Sequence, residues 1–264
     1  MKIKFLHKVI LVLISFQVSL HVHAQNSLTD SIKLNMAFQV GEILTYNVNY
    51  GLIKAGKATI TLGLKPVGYS YLFYSRAVAT TAGLASVFAE IEDIYECYFE
   101  IDNGLPVKAS INIHENKYKA YNEILFMNDS NKIISLKKGK RTVPANTHDI
   151  LSAFYYARRF LFSNEYTKNQ AIRLVTFFDD EIIPIKLIYK KTETINTEFG
   201  RINSLKFVPV LEKNSPFKNE NDFQVWFSND NNYVPLKIKA KLRFGSINAE
   251  LTGYQHLKTN LTTK

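Results

Sequence analysis

The 264-residue sequence predicts an all-β fold, mainly an antiparallel curved sheet or barrel-like, with one central α-helix. Three observations carry that expectation. Residues 38–64 contain two alternating strand patterns joined through glycines. Apolar residues at every second position recur, between turn residues, along most of the remaining chain. A single segment, residues 148–162, switches to the helical period instead.

In the organising stretch, Tyr46, Val48 and Tyr50 alternate with Asn47 and Asn49. Ile60, Leu62 and Leu64 alternate with Thr59, Thr61 and Gly63. Gly51 and Gly56 lie between them, which predicts a hairpin or bulged bend with one apolar face turned inward. Residues 69–80 read as the next strand, after the Lys65-Pro66-Val67-Gly68 turn. Residues 83–88 read as a short helix or loop, and 91–101 as a strand ending at Asp102-Asn103-Gly104. Residues 107–115 and 118–126 pair across Asn116-Lys117, and 133–136 leads into a basic turn.

The helix is read from Ile150, Leu151, Phe154, Ala157, Phe160 and Leu161, which recur at helical spacing. Thr147 or Asp149 can cap its start, and Arg158 and Arg159 suit its C-terminal half, where the helix dipole favours cations. Its broad apolar face predicts a helix lying against the sheet or plugging a barrel end. Strands resume at 172–178, 182–189 and 202–210, with Asp179-Asp180-Glu181 as a charged turn. Residues 211–222 read as a loop. Residues 223–228 and 233–244 form a hairpin, and 246–254 closes the sheet. The whole reads as one β-rich domain over residues 38–256, divisible into two β halves around the helix. A polar leader (25–37) precedes it and a polar tail (257–264) comes after it.

Residues 1–24 have the three-part pattern of a cleavable export signal: Lys2, Lys4 and Lys8, an apolar run, then Val22-His23-Ala24 before Gln25. The apolar run is short for a membrane span. Removing these residues, with their three lysines and no acids, leaves 240 residues and lowers the formal charge from +10 to +7. The expected location is periplasmic or secreted. Nucleic acid is then a poor partner despite the basic balance. The single cysteine, Cys97, has no disulfide partner in the chain and reads as a small core residue.

Residues 51–58, Gly-Leu-Ile-Lys-Ala-Gly-Lys-Ala, nearly match the phosphate-binding loop G-x-x-x-x-G-K-[ST]. Ala58 offers no hydroxyl for magnesium, and Ala58-Thr-Ile-Thr-Leu is a strand pattern where that loop needs a helix N-terminus. A nucleotide site is therefore not expected.

Gly41-Glu42-x-x-x-Tyr46-x-Val48-x-Tyr50-Gly51 with Ala55-Gly56, the helix Asp149-Ile-Leu-Ser-Ala-Phe-Tyr-Tyr-Ala-Arg158, and Val225-Trp226-Phe-Ser-Asn-Asp230 with Val234-Pro235 occur in that order. Together they resemble the bacterial domain-of-unknown-function 3108 family over residues 38–254. The resemblance implies an exported, mostly β envelope protein and supplies no catalytic residues.

The chemical candidates are few. Glu90, Glu92, Asp93 and Glu96 cluster at a strand start, where a solvated sheet face is the simpler reading. His114, His148 and His256 lie far apart, without H-x-x-x-H or H-E-x-x-H spacing, and no metal or cofactor site is expected. With 18 Phe and 15 Tyr, alternating tyrosines such as Tyr46 and Tyr50 can line a cavity for an amphiphile. Trp226 faces away from Phe223, Val225 and Phe227, marking either a second packed surface or a cavity mouth. Lys237, Lys239, Lys241 and Arg243 alternate with apolar residues as a cationic stripe, suited to anions or to guarding a strand against aggregation. These seven residues are the ligand-binding candidates. The functional expectation is non-enzymatic binding or carriage of a lipid or other amphiphile, or of an envelope partner protein. The alternatives are an envelope hydrolase using dispersed carboxylates and a structural or assembly factor.

Overall fold

A computed structural model describes residues 36–83, 86, 90–211, 222–241 and 245–264. The expected export signal, most of the leader, most of segment 83–88 and Arg243 lie outside the described residues. The N-terminal strands are β1 (Ile43–Tyr50), β2 (Ile53–Val67), β3 (Ser70–Thr81), β4 (Glu92–Phe99), β5 (Pro106–Glu115), β6 (Tyr118–Met127), β7 (Lys132–Ser135), β8 (Gly139–Thr142) and β9 (Thr147–His148). Helix α1 (Ile150–Ser163) comes next. The chain then adds β10 (Ala171–Phe178), β11 (Glu181–Thr197), β12 (Gly200–Leu211), β13 (Phe223–Ser228), β14 (Pro235–Lys241) and β15 (Ser246–Gln255).

Among the described residues, fifteen strands form one sheet, ordered β8-β7-β6-β5-β4-β3-β2-β1-β15-β14-β13-β12-β11-β10-β9. Two antiparallel meanders are thus sewn together along β1 and β15, with Tyr46 opposite Leu251 and Tyr50 opposite Ile247. Only the short β9 runs parallel to its neighbour, β10. The sheet curls around α1, which touches β3 and β4 on one side and β9 and β10 on the other. It does not close into a barrel, because β8 and β9 are its two ends.

The β1–β2 hairpin turns at Gly51 and Leu52, and β2 begins at Ile53, earlier than the apolar alternation at 60–64 suggests. Gly56 lies inside that strand, with its φ outside the positive region. A Cβ there would sit 2.1 Å from the Thr80 carbonyl oxygen. The glycine is therefore required for a close approach of β3, not for a turn.

Helix α1 starts from a capping box. The Asp149 carboxylate accepts from the Leu151 and Ser152 amides, and Ser152 Oγ accepts from the Asp149 amide. The Cys97 thiol of β4, fully buried, also donates to Asp149 Oδ2 at 2.7 Å. Burial raises the pKa of this thiol well above its ordinary range, and the Asp149 carboxylate raises it further. Residues Leu151, Tyr155 and Arg158 form the stripe that meets β3, β4 and the N-terminal segment. Rings of Phe38, Phe73, Phe99 and Tyr155 cluster there, Phe38 and Tyr155 with centroids 4.8 Å apart.

Arg158 is fully buried among these rings. Its guanidinium holds Glu42 bidentately at 2.6 and 2.8 Å, and also donates to the carbonyls of Ala37 and Asn232. Glu42 is equally buried. One side chain on α1 thus fixes the start of the sheet and the β13–β14 turn. Residues expected as leader and tail also join the body: Met36 and Ala37 are buried, as is Leu261. Asn232 Nδ2 donates to the Thr259 carbonyl at 2.9 Å.

The two ends of the sheet meet without strand pairing. In the turn between β10 and β11, Asp179 and Asp180 both take positive φ, and Asp180 is buried. Its carboxylate accepts from Ser135 Oγ at 2.5 Å and from Asn122 Nδ2 at 3.2 Å. Arg141 donates to its carbonyl, with the guanidinium over the Phe177 ring. Asp180 therefore latches the β10–β11 turn to β6, β7 and β8, above an apolar seam of Ile124, Phe126, Ile133, Val143 and Phe177.

Stability measurements test these contacts. Arg158→Met leaves the Glu42 carboxylate buried and unpaired, and should lower stability in urea unfolding by about 3–5 kcal/mol; adding Glu42→Leu should recover much of that loss. Asp180→Ala should cost about 1–3 kcal/mol and speed amide exchange in β7 and β8 more than in β1 and β15. His148 is buried against Ser152 and Tyr156, and burial depresses its pKa to about 4. The unfolded chain then binds this proton at higher pH than the folded chain. Stability should fall by roughly 3 kcal/mol as pH drops from 6.5 to 4. His148→Gln should flatten that slope in pH-dependent urea melts.

Candidate ligand cavity

The second apolar stripe of α1 is formed by Ile150, Ala153, Phe154 and Ala157; Ala157 joins the core around Leu174, Val225 and Phe227, and the stripe as a whole borders a cavity. It faces the inner wall of β10–β14 across a cavity of about 400 Å³. The opposing wall includes Leu174, Ile185, Val225 and Phe227. Among the described residues of this lining, Thr176 alone carries a hydroxyl, and it donates to the Ile183 carbonyl at 3.0 Å. A second lobe of about 270 Å³ lies against β1, β2, β3 and β15, and shares Ile150, Phe154 and Ile238 with the first. The two lobes form one apolar trough inside the curled sheet, split by the Phe154 side of the helix. Ile150 is 47% exposed although apolar, because it projects into this space.

A third pocket of about 260 Å³ adjoins both lobes through Tyr95 and Phe178, whose rings stack with centroids 6.4 Å apart. It is polar, with Asp93, Glu115, Asp179 and Lys137 on its wall. Asp93 accepts from the His114 amide at 3.1 Å. Burial, and then the carboxylates of Asp93 and Glu115, push the Tyr95 phenol up to about 12, so it stays protonated at neutral pH. Among the described residues, no group of three His, Cys, Asp or Glu side chains is arranged to hold a metal ion.

The tyrosines expected at a ligand site lie on the inner surface. Tyr46 walls the β1 lobe and is 3% exposed. Its hydroxyl is buried without a hydrogen-bond partner among the described residues, and burial raises its pKa. Tyr50 lies at the rim, 45% exposed. Trp226 lies on the outer face: its Nε1 donates to Glu193 Oε1 at 2.8 Å, and Lys206 covers its ring at 4.9 Å. Lys237 pairs with Glu250 at 2.5 Å on the same outer face, where Lys239 and Lys241 are exposed. The outer and inner candidates are therefore separated by the thickness of the sheet. Glu96 is also external, near Arg76 at 3.8 Å and hydrogen bonded to Tyr74. The near-phosphate loop 51–58 runs from the hairpin turn directly into β2.

Sequence reasoning missed Ile150, Phe154, Ile238, Tyr95 and Phe178 as site residues. The one signal for them was the width of the helix's apolar face. Two stripes are more than one core contact needs, but periodicity cannot say that one of them borders a cavity.

One solved structure shares the fold at very low identity. A β-barrel-like protein of domain of unknown function DUF1849 from Brucella abortus aligns with a TM-score of 0.52 at 8% identity, over 82% of this chain and 98% of that one. A DUF1089 family protein from Pseudomonas aeruginosa aligns with a TM-score of 0.37 at 8% identity, over 67% and 87%. No curated protein matches the sequence. The family profile described as protein of unknown function, DUF3108, matches residues 45–252, and the chain belongs to that family.

Proposed function

We propose that this is an exported envelope protein that binds the apolar portion of an amphiphile, without transforming it, in the trough between α1 and the curled sheet. The observation that carries the reading is the trough itself. Its larger lobe, about 400 Å³, falls within the size range of small-molecule sites, and it is walled almost entirely by carbon. A bound alkyl or acyl chain would gain the burial that the wall offers. The signal-like residues 1–24 support export, and no described helix is long and apolar enough to cross a membrane.

One observation favours a second reading. Asp93, Glu115 and Asp179 share the polar pocket, which is where an envelope hydrolase would have to work. Asp93→Asn separates the two, because a binding protein keeps its ligand affinity after that change whereas a hydrolase loses turnover.

The primary test is native mass spectrometry of protein purified from its own envelope, followed by organic extraction and by titration with the neutral apolar probe N-phenyl-1-naphthylamine. A stoichiometric extractable amphiphile and saturable probe binding are expected. Ile150→Asp should weaken the probe by about tenfold or more, since a charge would enter the apolar wall. Its 47% exposure should keep the stability change small. A clean apo mass with no probe binding would defeat the reading.

A further inference from the structure

The strand register places a distinctive lip at one end of the curled sheet. Ala249 pairs with Val48 and with Ile238, and both Ala249 and Ile238 line the trough. Two residues further along β15, Ile247 pairs with Tyr50, which in turn pairs with Ile53. Cross-strand partners share a face, so Ile247, Tyr50 and Ile53 continue the inner apolar wall past the trough to the edge. They are 38%, 45% and 60% exposed, and Leu52 at the hairpin tip is 104% exposed. Large apolar side chains this open, grouped at one place, mark a contact surface.

The outer face of the same lip is cationic. The intervening row runs Lys239, Asn248, Asn49, Lys54 across β14, β15, β1 and β2. Lys57 lies opposite Asn47 and Lys241 opposite Ser246 on that face, and these four lysines are exposed. The facing lip is different, because Glu115, Asp179 and Lys137 of the polar pocket give it charges of both signs. The far end of the trough is blocked by α1: Arg159 donates to the carbonyls of Ile101 and Asp102, and Phe162 packs on Tyr233. The open end is therefore the one with the apolar, lysine-collared lip.

We infer that this lip docks the protein onto an anionic bilayer surface. Leu52, Ile53, Tyr50 and Ile247 enter the headgroup–acyl boundary, and Lys54, Lys57, Lys239 and Lys241 face the lipid headgroups. Apolar side chains flanked by lysines match the chemistry of an anionic interface, where each adds to the other's affinity. Docked this way, the inner wall is continuous from the bilayer into the trough, a path along which an acyl chain stays out of water. The docking does not require the trough to hold a ligand, so it stands or falls apart from the binding reading above.

The test is vesicle flotation of the purified protein at about 0.1 M salt, comparing phosphatidylcholine alone with phosphatidylcholine containing about a third phosphatidylglycerol. Flotation with the anionic vesicles, weakened by high salt, is expected. Leu52→Asp with Ile53→Asp should lower the bound fraction roughly tenfold or more, and Lys54→Glu with Lys239→Glu should remove the anionic preference. All four positions are exposed, so unchanged urea melts should accompany these losses. Tyr69→Asp with Lys65→Glu makes the same chemical change at the opposite end of β2, where Tyr69 is 110% exposed, and should leave binding intact. The inference is overturned by absence of flotation, by equal loss in the Tyr69 control, or by retained binding in the Leu52 variant. Light scattering that shows a dimer dispersed by Leu52→Asp, without vesicle binding, would overturn it in favour of self-association.

Discussion

The architecture turns on one buried charge pair. Arg158 and Glu42 lie in a shell of aromatic rings, each fully withdrawn from water. Desolvating two ions is expensive, and the arrangement offsets it through bidentate geometry and added carbonyl acceptors from Ala37 and Asn232. Hydrophobic packing alone would let a helix slide or rotate within a curled sheet. A guanidinium fork with fixed partners on two other chain segments does not. The pair therefore sets which helical stripe meets the aromatic core and which is left over the trough.

The same economy of contacts explains why the sheet curls without closing. Fifteen strands with right-handed twist bring β8 and β9 toward each other. No ladder joins them there, and the seam is held by side chains instead. Asp180 supplies its polar part and the cluster around Ile133 and Phe177 its apolar part. A seam of side chains leaves the sheet's curvature free to adapt to the helix, and so leaves room for the trough. A continuous ladder would fix shear and diameter together. The trough ends at a polar pocket on one side and at an apolar, lysine-collared lip on the other. This asymmetry is what an amphiphile, or the surface of a bilayer, presents in reverse.

Much of the architecture was legible in the residues. Alternation located most strands, and helical spacing with Asp149 located α1. The errors have identifiable causes. Gly56 resembled a turn residue, because a glycine needed for the absence of a side chain looks the same in sequence as one needed for positive φ. Asp180 read as one charge in a solvated turn, because its partners Asn122 and Ser135 come from more than forty residues away. Among the ligand candidates, Tyr46 and Tyr50 lie on the inner surface, whereas Trp226 and the lysines lie outside. Alternation separates the faces of one strand but does not say which face is concave.

The sequence by itself determined the class of fold, the central helix, its cap and the family, because these rest on local periodicity and short motifs. Tertiary structure alone decided that Arg158 meets Glu42, that Asp180 locks the seam, and that one stripe of α1 borders a cavity. Those outcomes depend on distances between segments far apart in the chain, and a local pattern carries no record of such distances. A cavity is a place where packing fails to close, and so it has no residue signature of its own.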